Sequence, residues 1–295
     1  MKPGFYFALP AAQYHADRLA DSPSISSSVA QILLRESPRK AFFCHPRLNP
    51  DFREEHDDRF DLGTAAHDAL LTGAQSIAVI DPAQFPSKAG SIPDGWTNNA
   101  IRAARDAARA AGKTPILAKN YAEVRAMVEA AQAFLADCEI TEYWNEADSE
   151  VTALWQEGSI WLRCRFDRLS KNHRCIIDYK TTESAAPEMF QRQIVRMGYH
   201  IQDAFYRRAI RAFGEKDPAF VFLAQSCEPP YECSLHGCDP AMREIADAEV
   251  DRAVQTWRMC LLSNKWPSHG KRIHWAMPSN WMIQDHEMRL MEAAA

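Results

Sequence analysis

The sequence predicts an α/β fold in which a central mixed β-sheet is flanked by helices and preceded by a mainly helical portion. Three observations support this class. Short stretches rich in apolar and β-branched residues recur from about residue 150 onwards. A long helical stretch separates the third of these strands from the fourth, and alanine-rich amphipathic stretches precede them all. With 295 residues and 46% hydrophobic content, the chain can bury one sizeable core.

The whole chain, residues 1–295, is expected to form one domain. Its predicted parts are a loosely held lead-in, a mainly helical part that carries His67, an α/β core and an irregular tail. These parts cover residues 1–22, about 23–145, about 146–265 and 266–295, respectively.

Serine and proline mark the first helix. Ser26-Ser-Ser28 stands before an apolar run and predicts a capped helix start, and Ser37-Pro38 should end that helix. A further helix is expected from about Arg59 to Thr72, where Gly63 and two alanines would let another element approach closely.

Residues 81–97 are rich in Pro, Gly and Ser and predict a loop. Helices are expected to follow over residues 98–111 and 119–136. The first of these carries Arg102, Arg105 and Arg109 on one face, which is either solvated or a stripe that contacts phosphates.

The predicted α/β core alternates strands and helices. Strands are expected over residues 150–156, 160–169, 174–181, 219–225 and 231–235, with helices over 187–213 and 239–263.

The second and third strands form a predicted hairpin that carries the candidate site. If Asn172-His173 is a two-residue turn, Asp167 falls directly opposite Asp178. Carboxylates at such positions lie roughly 5 Å apart at Cβ and repel each other. A divalent cation between them would offset this repulsion, and Lys180, two residues after Asp178, points to the same face.

Mg²⁺ or Mn²⁺ suits these carboxylates. Asp167 and Asp178 would each give an oxygen, the Tyr179 carbonyl could add a third ligand, and His67 could bind through a neutral ring nitrogen. Lys180 would hold water or stabilise charge on a phosphate. The competing interpretation is a surface hairpin with a simple Asp–Lys ion pair and a structural histidine.

The predicted helix over 187–213 could complete the site. Gln202 and Tyr206 are four residues apart and project from one face, although Tyr206 could equally be a core aromatic. Glu150 is a candidate for an acid that supports the ligands. Five arginines are candidates for contacts with a nucleic-acid backbone, namely Arg192, Arg196, Arg207, Arg208 and Arg211.

Composition narrows the class of protein. The net charge of −5 requires any nucleic-acid surface to be local. The chain lacks a run of about 18 apolar residues and a signal-peptide core, so a cytoplasmic protein without a membrane partner is expected.

Eight cysteines are expected to be mostly small buried hydrophobes. Cys44, Cys227, Cys233 and Cys238 could in principle ligate an iron–sulfur cluster, but no Cys-x-x-Cys occurs, which makes a cluster an unfavoured interpretation.

Four motifs in order resemble the RecE/RecB-like branch of the PD-(D/E)xK nuclease superfamily, with the exonuclease VIII (RecE) group as the nearest likeness. They are Gly63-Thr-Ala-Ala-His67, Arg165-Phe-Asp167-Arg-Leu, Ile177-Asp178-Tyr-Lys180-Thr-Thr and Gln202-Asp-Ala-Phe-Tyr206. The likeness extends over nearly the whole chain. Two departures are Phe166, where a proline is usual, and Asp178, where many members carry glutamate.

The resemblance implies a Mg²⁺-dependent exonuclease that degrades one strand of double-stranded DNA from a 5′ end in phage-type recombination. It also implies a ring-like homo-oligomer and a single-strand annealing partner. Carried over by motif, His67, Asp167 and Asp178 would be metal ligands, Lys180 the catalytic lysine, and Gln202 and Tyr206 supporting residues.

Three alternatives remain open from the sequence. The same core could serve a structure-specific or single-strand endonuclease, because fold alone does not decide the substrate. It could also serve a protein that binds DNA ends without cutting, although the intact acids and lysine argue against this. The last alternative is an unrelated metal-binding α/β protein.

Overall fold

The computed structural model describes residues 1–53, 61–87 and 90–293. Their strands are β1 (Gly4–Tyr6), β2 (Ser24–Ile25), β3 (Ile77–Ile80), β4 (Thr114–Leu117), β5 (Ala147–Glu157), β6 (Ile160–Ser170), β7 (Cys175–Thr182), β8 (Ala219–Ser226) and β9 (Cys233–His236). Their α-helices are α1 (Ala11–His15), α2 (Ser27–Arg35), α3 (Pro38–Phe43), α4 (Asp61–Thr72), α5 (Asn99–Ala110), α6 (Ala118–Leu135), α7 (Thr141–Asn145), α8 (Pro187–Met197), α9 (Tyr199–Ala212), α10 (Pro240–Ser263) and α11 (Asn280–Ala293).

A mixed sheet forms the centre of the molecule. Within the described residues it has seven strands in the order β1-β5-β6-β7-β8-β9, and β2 pairs with β6. The pairs of β7 with β8 and of β2 with β6 are parallel, and the other pairs of this sheet are antiparallel. Strands β3 and β4 form a small parallel sheet of their own. The predicted α/β class with a central mixed sheet is confirmed.

Helices cover both faces of the central sheet. On one face α2, α9 and α10 enclose the largest apolar core, which includes Phe190, Phe205 and Trp257. On the other face Leu135 and Ile140, at the end of α6 and before α7, pack against alternate residues of β7. Because β7 is buried on both faces, the alternation along it decides which residues reach each layer.

The predicted register of the hairpin is confirmed. Arg168 pairs with Ile177 and Leu169 with Ile176, as predicted, and the ladder ends there, one pair before Asp167 and Asp178, whose direct opposition stays a prediction. The turn is wider than the predicted two residues. Ser170 accepts a hydrogen bond from the N–H of His173, and strand pairing resumes only at Cys175.

The predicted single helix over 187–213 is wrong. It is two helices, because Gly198 between α8 and α9 adopts a left-handed conformation with φ of 73°. The side chains of Arg35 and Gln31 on α2 hydrogen-bond carbonyls at this junction, those of Val195, Arg196 and Gly198. Helix α9 therefore starts anew at Tyr199, beside the hairpin.

The lead-in is not loosely held, contrary to the prediction. Its strand β1 pairs with β5, and Leu9, Tyr14 and Leu19 are buried. Asp17 is fully buried, where it accepts a hydrogen bond of 2.8 Å from Arg163 on β6. These contacts make the first residues part of the sheet.

Other elements differ from the sequence predictions in detail. Ser26 caps α2 as expected, but Ser37 in turn caps a further helix, α3, that starts at Pro38. The predicted start of α4 at residue 59 lies outside the described residues. The tail is not wholly irregular, since α11 occupies much of it. None of the helices in the described ranges is long and apolar enough to cross a membrane.

Candidate active site

The hairpin brings Asp178 and Lys180 together on the face of β7 that α9 covers. Asp178 is 1% exposed, and the ammonium group of Lys180 lies in direct contact with its Oδ2. Gln202, on the first turn of α9, donates a hydrogen bond of 2.5 Å from its amide to Asp178 Oδ1. The carboxylate is thus held between a cation and a neutral donor.

Lys180 has a second partner that the sequence did not single out. Its Nζ lies 5.2 Å from the centroid of the Tyr199 ring, a cation–π arrangement. Tyr199 is the first residue of α9 and precedes Gln202 by three positions, so both reach β7 from one helical face. The three-residue spacing from Gln202 is the sequence feature that could have indicated Tyr199. It does so only once it is known that a new helix starts after Gly198.

Asp167 connects the hairpin to α4. One of its oxygens accepts a hydrogen bond of 2.9 Å from the backbone N–H of Tyr179, and the same oxygen lies 3.2 Å from Nε2 of His67. The His67 ring stacks on the Tyr179 ring with centroids 5.9 Å apart. His67, which the sequence predicted as a possible ligand, therefore contacts Asp167, the predicted acid.

Close packing makes this reach of His67 achievable. A Cβ added at Gly63 on α4 would lie 2.5 Å from the hydroxyl oxygen of Thr181 on β7. A larger residue would require the Thr181 side chain or one of the two elements to shift, in agreement with the close approach that the sequence predicts for this stretch. His67 follows Gly63 by four residues on the same helical face.

His67, Glu150 and Asp167 form a group that could hold a metal ion. Each offers one ligand atom, and these atoms lie within 4.8 Å of one another. Carboxylate oxygens suit Mg²⁺ and Mn²⁺, whereas imidazole suits transition metals, so this mixed donor set fits a divalent cation such as Mn²⁺ as well as Mg²⁺. Among the described residues, no second group of three such side chains meets this geometry.

Glu150 has a larger part in the site than the sequence assigned to it. It stands within β5 at φ of 57°, a conformation that non-glycine residues rarely adopt in a strand. Its carboxylate also contacts the guanidinium of Arg165. Residues in such conformations cluster at functional sites, and the Glu150 carboxylate lies within 4.8 Å of the ligand atoms of Asp167 and His67.

Burial and charge shift the pKa values of the site. Burial raises the pKa of Asp178 to about 6, opposed by the Lys180 ammonium and reinforced by the Asp167 charge. Burial alone would lower the pKa of His67, but the Asp167 carboxylate overcomes it and raises that pKa to about 10. The same balance of burial against the two aspartates raises the pKa of Lys180 above its usual value.

Tyr206 and Tyr179 lie near the site but serve packing as well. Tyr206 is 6% exposed and packs edge-on against Phe166, with ring centroids 5.3 Å apart. The hydroxyl of Tyr179 donates to the side chain of Gln225. The predicted roles of Tyr206 as a supporting residue and of the Tyr179 carbonyl as a ligand remain predictions.

Three of the five arginines proposed for nucleic-acid contacts form ion pairs within the protein. Arg207 is 1% exposed and pairs with Asp203, Asp217 and Asp247. The other two, Arg208 and Arg211, also form ion pairs with acids on neighbouring elements. These charges join α9 to α10, to β5 and to the loop before β8. Burial makes the prediction wrong for Arg207, and for Arg208 and Arg211 it stays a prediction.

The family model of the PDDEXK-like domain of unknown function (DUF3799) matches residues 45–276. The chain belongs to this family. The match spans the hairpin, α4 and α9, and so includes every residue of the site described above. It agrees with the fold, a central mixed sheet flanked by helices, and assigns the chain to the PD-(D/E)xK superfamily.

A solved structure agrees with the family assignment at the level of the fold. The crystal structure of a candidate exonuclease from Eubacterium rectale superposes with a TM-score of 0.58 at 12% identity, covering 95% of this chain and 98% of that chain. At this identity the likeness shows the fold alone. The crystal structure of SSO0001, at 12% identity over 73% of this chain and 98% of that chain, has a TM-score of 0.28 and supports no argument. A search of curated proteins found no match.

Proposed function

We propose that this PDDEXK-like protein is a metal-dependent nuclease that hydrolyses phosphodiester bonds in DNA. The observation that carries the proposal is the juxtaposition of two pairs across one hairpin. Asp178 lies between Lys180 and Gln202, and Asp167 lies between His67 and the Tyr179 backbone. Two facing carboxylates with a lysine suit metal-assisted attack of water on a phosphodiester.

Each side chain has a proposed role. His67, Glu150 and Asp167, whose ligand atoms lie within 4.8 Å of one another, are the proposed core of the metal site, and Asp178 and the Tyr179 carbonyl, which lie outside that group, are proposed as additional ligands. The bound cation would supply a Lewis acid and an activated water. Lys180 stabilises the negative charge that develops on the phosphate, and Gln202 and Tyr199 orient Asp178 and Lys180.

A more specific form of the proposal is an exonuclease that acts 5′ to 3′ on double-stranded DNA ends. It is supported by the resemblance to the RecE-like motifs and by the name of the fold relative from Eubacterium rectale. With it come the remaining implications of that resemblance. They are Mg²⁺ or Mn²⁺ as cofactor, a ring-like homo-oligomer, a single-strand annealing partner and a place in phage-type recombination.

The test uses purified full-length protein and two substrates. A linear duplex labelled at one 5′ end and a closed circular duplex are each incubated with Mg²⁺, with Mn²⁺ or with EDTA. Lys180→Ala is the site variant, and Lys171→Ala, in the exposed turn of the same hairpin, is the matched control. We expect metal-dependent release of short labelled products from the linear duplex alone, which Lys180→Ala abolishes and Lys171→Ala preserves.

Other outcomes would change or overturn the proposal. A 3′ label on the same duplex reports polarity, so preferential loss of that label would replace the 5′ to 3′ direction by its opposite. Cutting of the circle would replace the exonuclease by an endonuclease. Binding of DNA with no cutting of either substrate in any metal would overturn nuclease activity in favour of a binding protein.

A further inference from the structure

A small pocket opens directly beyond Lys180 on the same face of β7. It has a volume of about 290 Å³ and lies between the end of β7 and the exposed side of α8. Thr182 reaches it two residues after Lys180, a step of about 6.6 Å along a strand. Its other lining residues are Glu183, Ser184, Met189, Arg192, Gln193 and Arg196.

Arg192 and Arg196 give the pocket its charge. They are one helical turn apart on α8 and line the same pocket, unlike the arginines of α9. Across the part of the chain that the structure describes, neither guanidinium has a hydrogen bond or an ion pair. Glu183, the acid of the lining, pairs with neither, so two cationic groups face the pocket against one carboxylate.

A buried hydrogen bond orients a neutral donor in the same pocket. Thr182 is 6% exposed, and its hydroxyl donates to the side-chain carbonyl of Gln193 over 2.8 Å. Because that carbonyl is engaged, the amide NH₂ group of Gln193 is left to donate elsewhere. The two guanidinium groups and the amide can therefore all donate hydrogen bonds to the oxygens of a phosphate group.

Arg35 adds a third positive charge at the same end of α8. Its guanidinium donates to the carbonyls of Val195 and Arg196, which satisfies its donors without a carboxylate. Positive charge at a helix C-terminus is favourable because it interacts with the negative end of the helix dipole. The Arg35 charge also makes the electrostatic potential near Arg196 more positive, which favours a bound anion. The chain as a whole has a net charge of −5, so this local concentration is not a general property of the surface.

We propose that this pocket binds the phosphate that follows the scissile one on the DNA strand being cut, with Arg192, Arg196 and Gln193 as its donors. The proposal rests on the proposed nuclease function, because that function puts the scissile phosphate at Asp178 and Lys180. A strand that leaves this site along β7 meets the pocket next. The contact positions the backbone and reads no sequence, since it reaches phosphate oxygens only.

Salt dependence of binding tests the proposal without relying on activity. A labelled single-stranded oligodeoxynucleotide is titrated with full-length protein in EDTA, over a series of KCl concentrations. The variants are Arg192→Gln, Arg196→Gln and the double variant. The matched control is Arg125→Gln/Arg252→Gln, which removes two exposed arginines that already pair with glutamates on α6 and α10.

We expect the slope of log Kd against log salt to fall by roughly 0.7 for each arginine that neutralises a phosphate of a single strand. In the double variant this slope should therefore be smaller by up to about 1.4, and the control double variant should keep the slope of the unmodified protein. In the cleavage assay with Mg²⁺ or Mn²⁺, the double variant should raise KM with little change in kcat, because the contact is made equally in the ground and transition states.

Two results would be decisive against the pocket. If the Arg192/Arg196 double variant and the control have the same slope and the same Kd, the pocket does not bind the strand, whereas cutting that depends on Lys180 would leave the nuclease function intact. If kcat falls as KM stays constant, the arginines act in the reaction rather than in holding the strand. Failure of the unmodified protein to bind or cut DNA would instead remove the proposed function itself.

Discussion

Asp167 and Asp178 carry like charges close enough to affect each other on two antiparallel strands, and each has its own cation. His67 approaches Asp167, and Lys180 contacts Asp178, so neither carboxylate is left with only the other as its neighbour. The raised pKa values of His67 and Lys180 express this pairing. A metal ion can bind His67 only after the imidazolium loses its proton, so the cation would replace the charge that His67 supplies to Asp167, and its affinity should rise with pH.

Gln202→Ala tests how strongly the fixed orientation of Asp178 matters. The variant removes the hydrogen bond to Oδ1 while leaving both acids and Lys180. Loss of such a supporting partner typically lowers metal affinity or activity by about 10–100-fold, and we expect a decrease of that size in kcat/KM. Gln132→Ala, an exposed position on α6, is the control and should match the unmodified protein. Equal activity of the two variants would show that the hydrogen bond is dispensable.

Substitutions of Glu150 separate the cost of its backbone conformation from the contribution of its carboxylate to metal binding. Because its φ is 57°, glycine should be tolerated there better than alanine, by about 1 kcal/mol in the free energy of unfolding. Both variants remove the carboxylate and should weaken Mn²⁺ binding alike. Urea unfolding without metal and a Mn²⁺ titration measure the two quantities. If Glu150→Ala proves at least as stable as Glu150→Gly, this residue stores no backbone strain.

At the scale of elements, the close approach of α4 to β7 delivers His67 to the site. Gly63→Ala should destabilise the protein by about 1–3 kcal/mol, because the new methyl group would overlap the Thr181 hydroxyl. If α4 relieves the overlap by moving away from Asp167, metal binding should weaken as well, whereas relief by rotation of the Thr181 side chain would leave metal binding unchanged. Urea unfolding and Mn²⁺ titration of the variant report both effects.

Thr181→Ala supplies the matched background for that prediction. Without the hydroxyl, Gly63→Ala should become neutral or stabilising, because alanine is a better helix former than glycine by roughly 0.5–1 kcal/mol. A double-mutant cycle would then give a coupling energy of similar size to the original loss. Purely additive effects would mean that the two residues are not in contact.

The sequence predicted some elements better than others for a physical reason. The hairpin register follows from neighbouring residues, so the pairing of Arg168 with Ile177 and of Leu169 with Ile176 could be derived from local alternation. The break at Gly198 could not, since Arg35 and Gln31 hold it from more than 150 positions away in the chain. A glycine inside a helical pattern is tolerated too often to signal a break by itself.

Charge patterns on helices were misread for a related reason. Three arginines of α9 looked available for nucleic acid because, apart from Asp203, their acidic partners lie on other elements, such as Asp247 on α10 and Glu157 on β5. Sequence spacing shows which residues share a helical face, but not what packs against that face. Arg192 and Arg196, with the same spacing, remain available only because α8 leaves that side exposed.

At the scale of the whole molecule, the lead-in supplies β1, the strand at one edge of the central sheet. Its anchor is a buried cluster in which Asp17 accepts hydrogen bonds from Ser24 and Arg163, and lies 3.3 Å from the ring of His45. The cluster joins the lead-in, the segment after α3 and β6. Since β6 also carries Asp167, the first residues of the chain contribute to the rigidity of the site.

Asp17→Ala should therefore destabilise the whole fold rather than the lead-in alone. It leaves Arg163, 4% exposed, as a buried charge without its carboxylate, which typically costs about 3–5 kcal/mol in the free energy of unfolding. Asp21→Ala, an exposed acid in the same segment, should change stability by less than about 0.5 kcal/mol. In the Asp17→Ala/Arg163→Met variant the unpaired charge is gone, so part of the loss should be recovered. Urea unfolding followed by circular dichroism measures all three. Equal stability of the two single variants would mean that the lead-in is docked by its apolar residues and β1, and that the ion pair adds nothing.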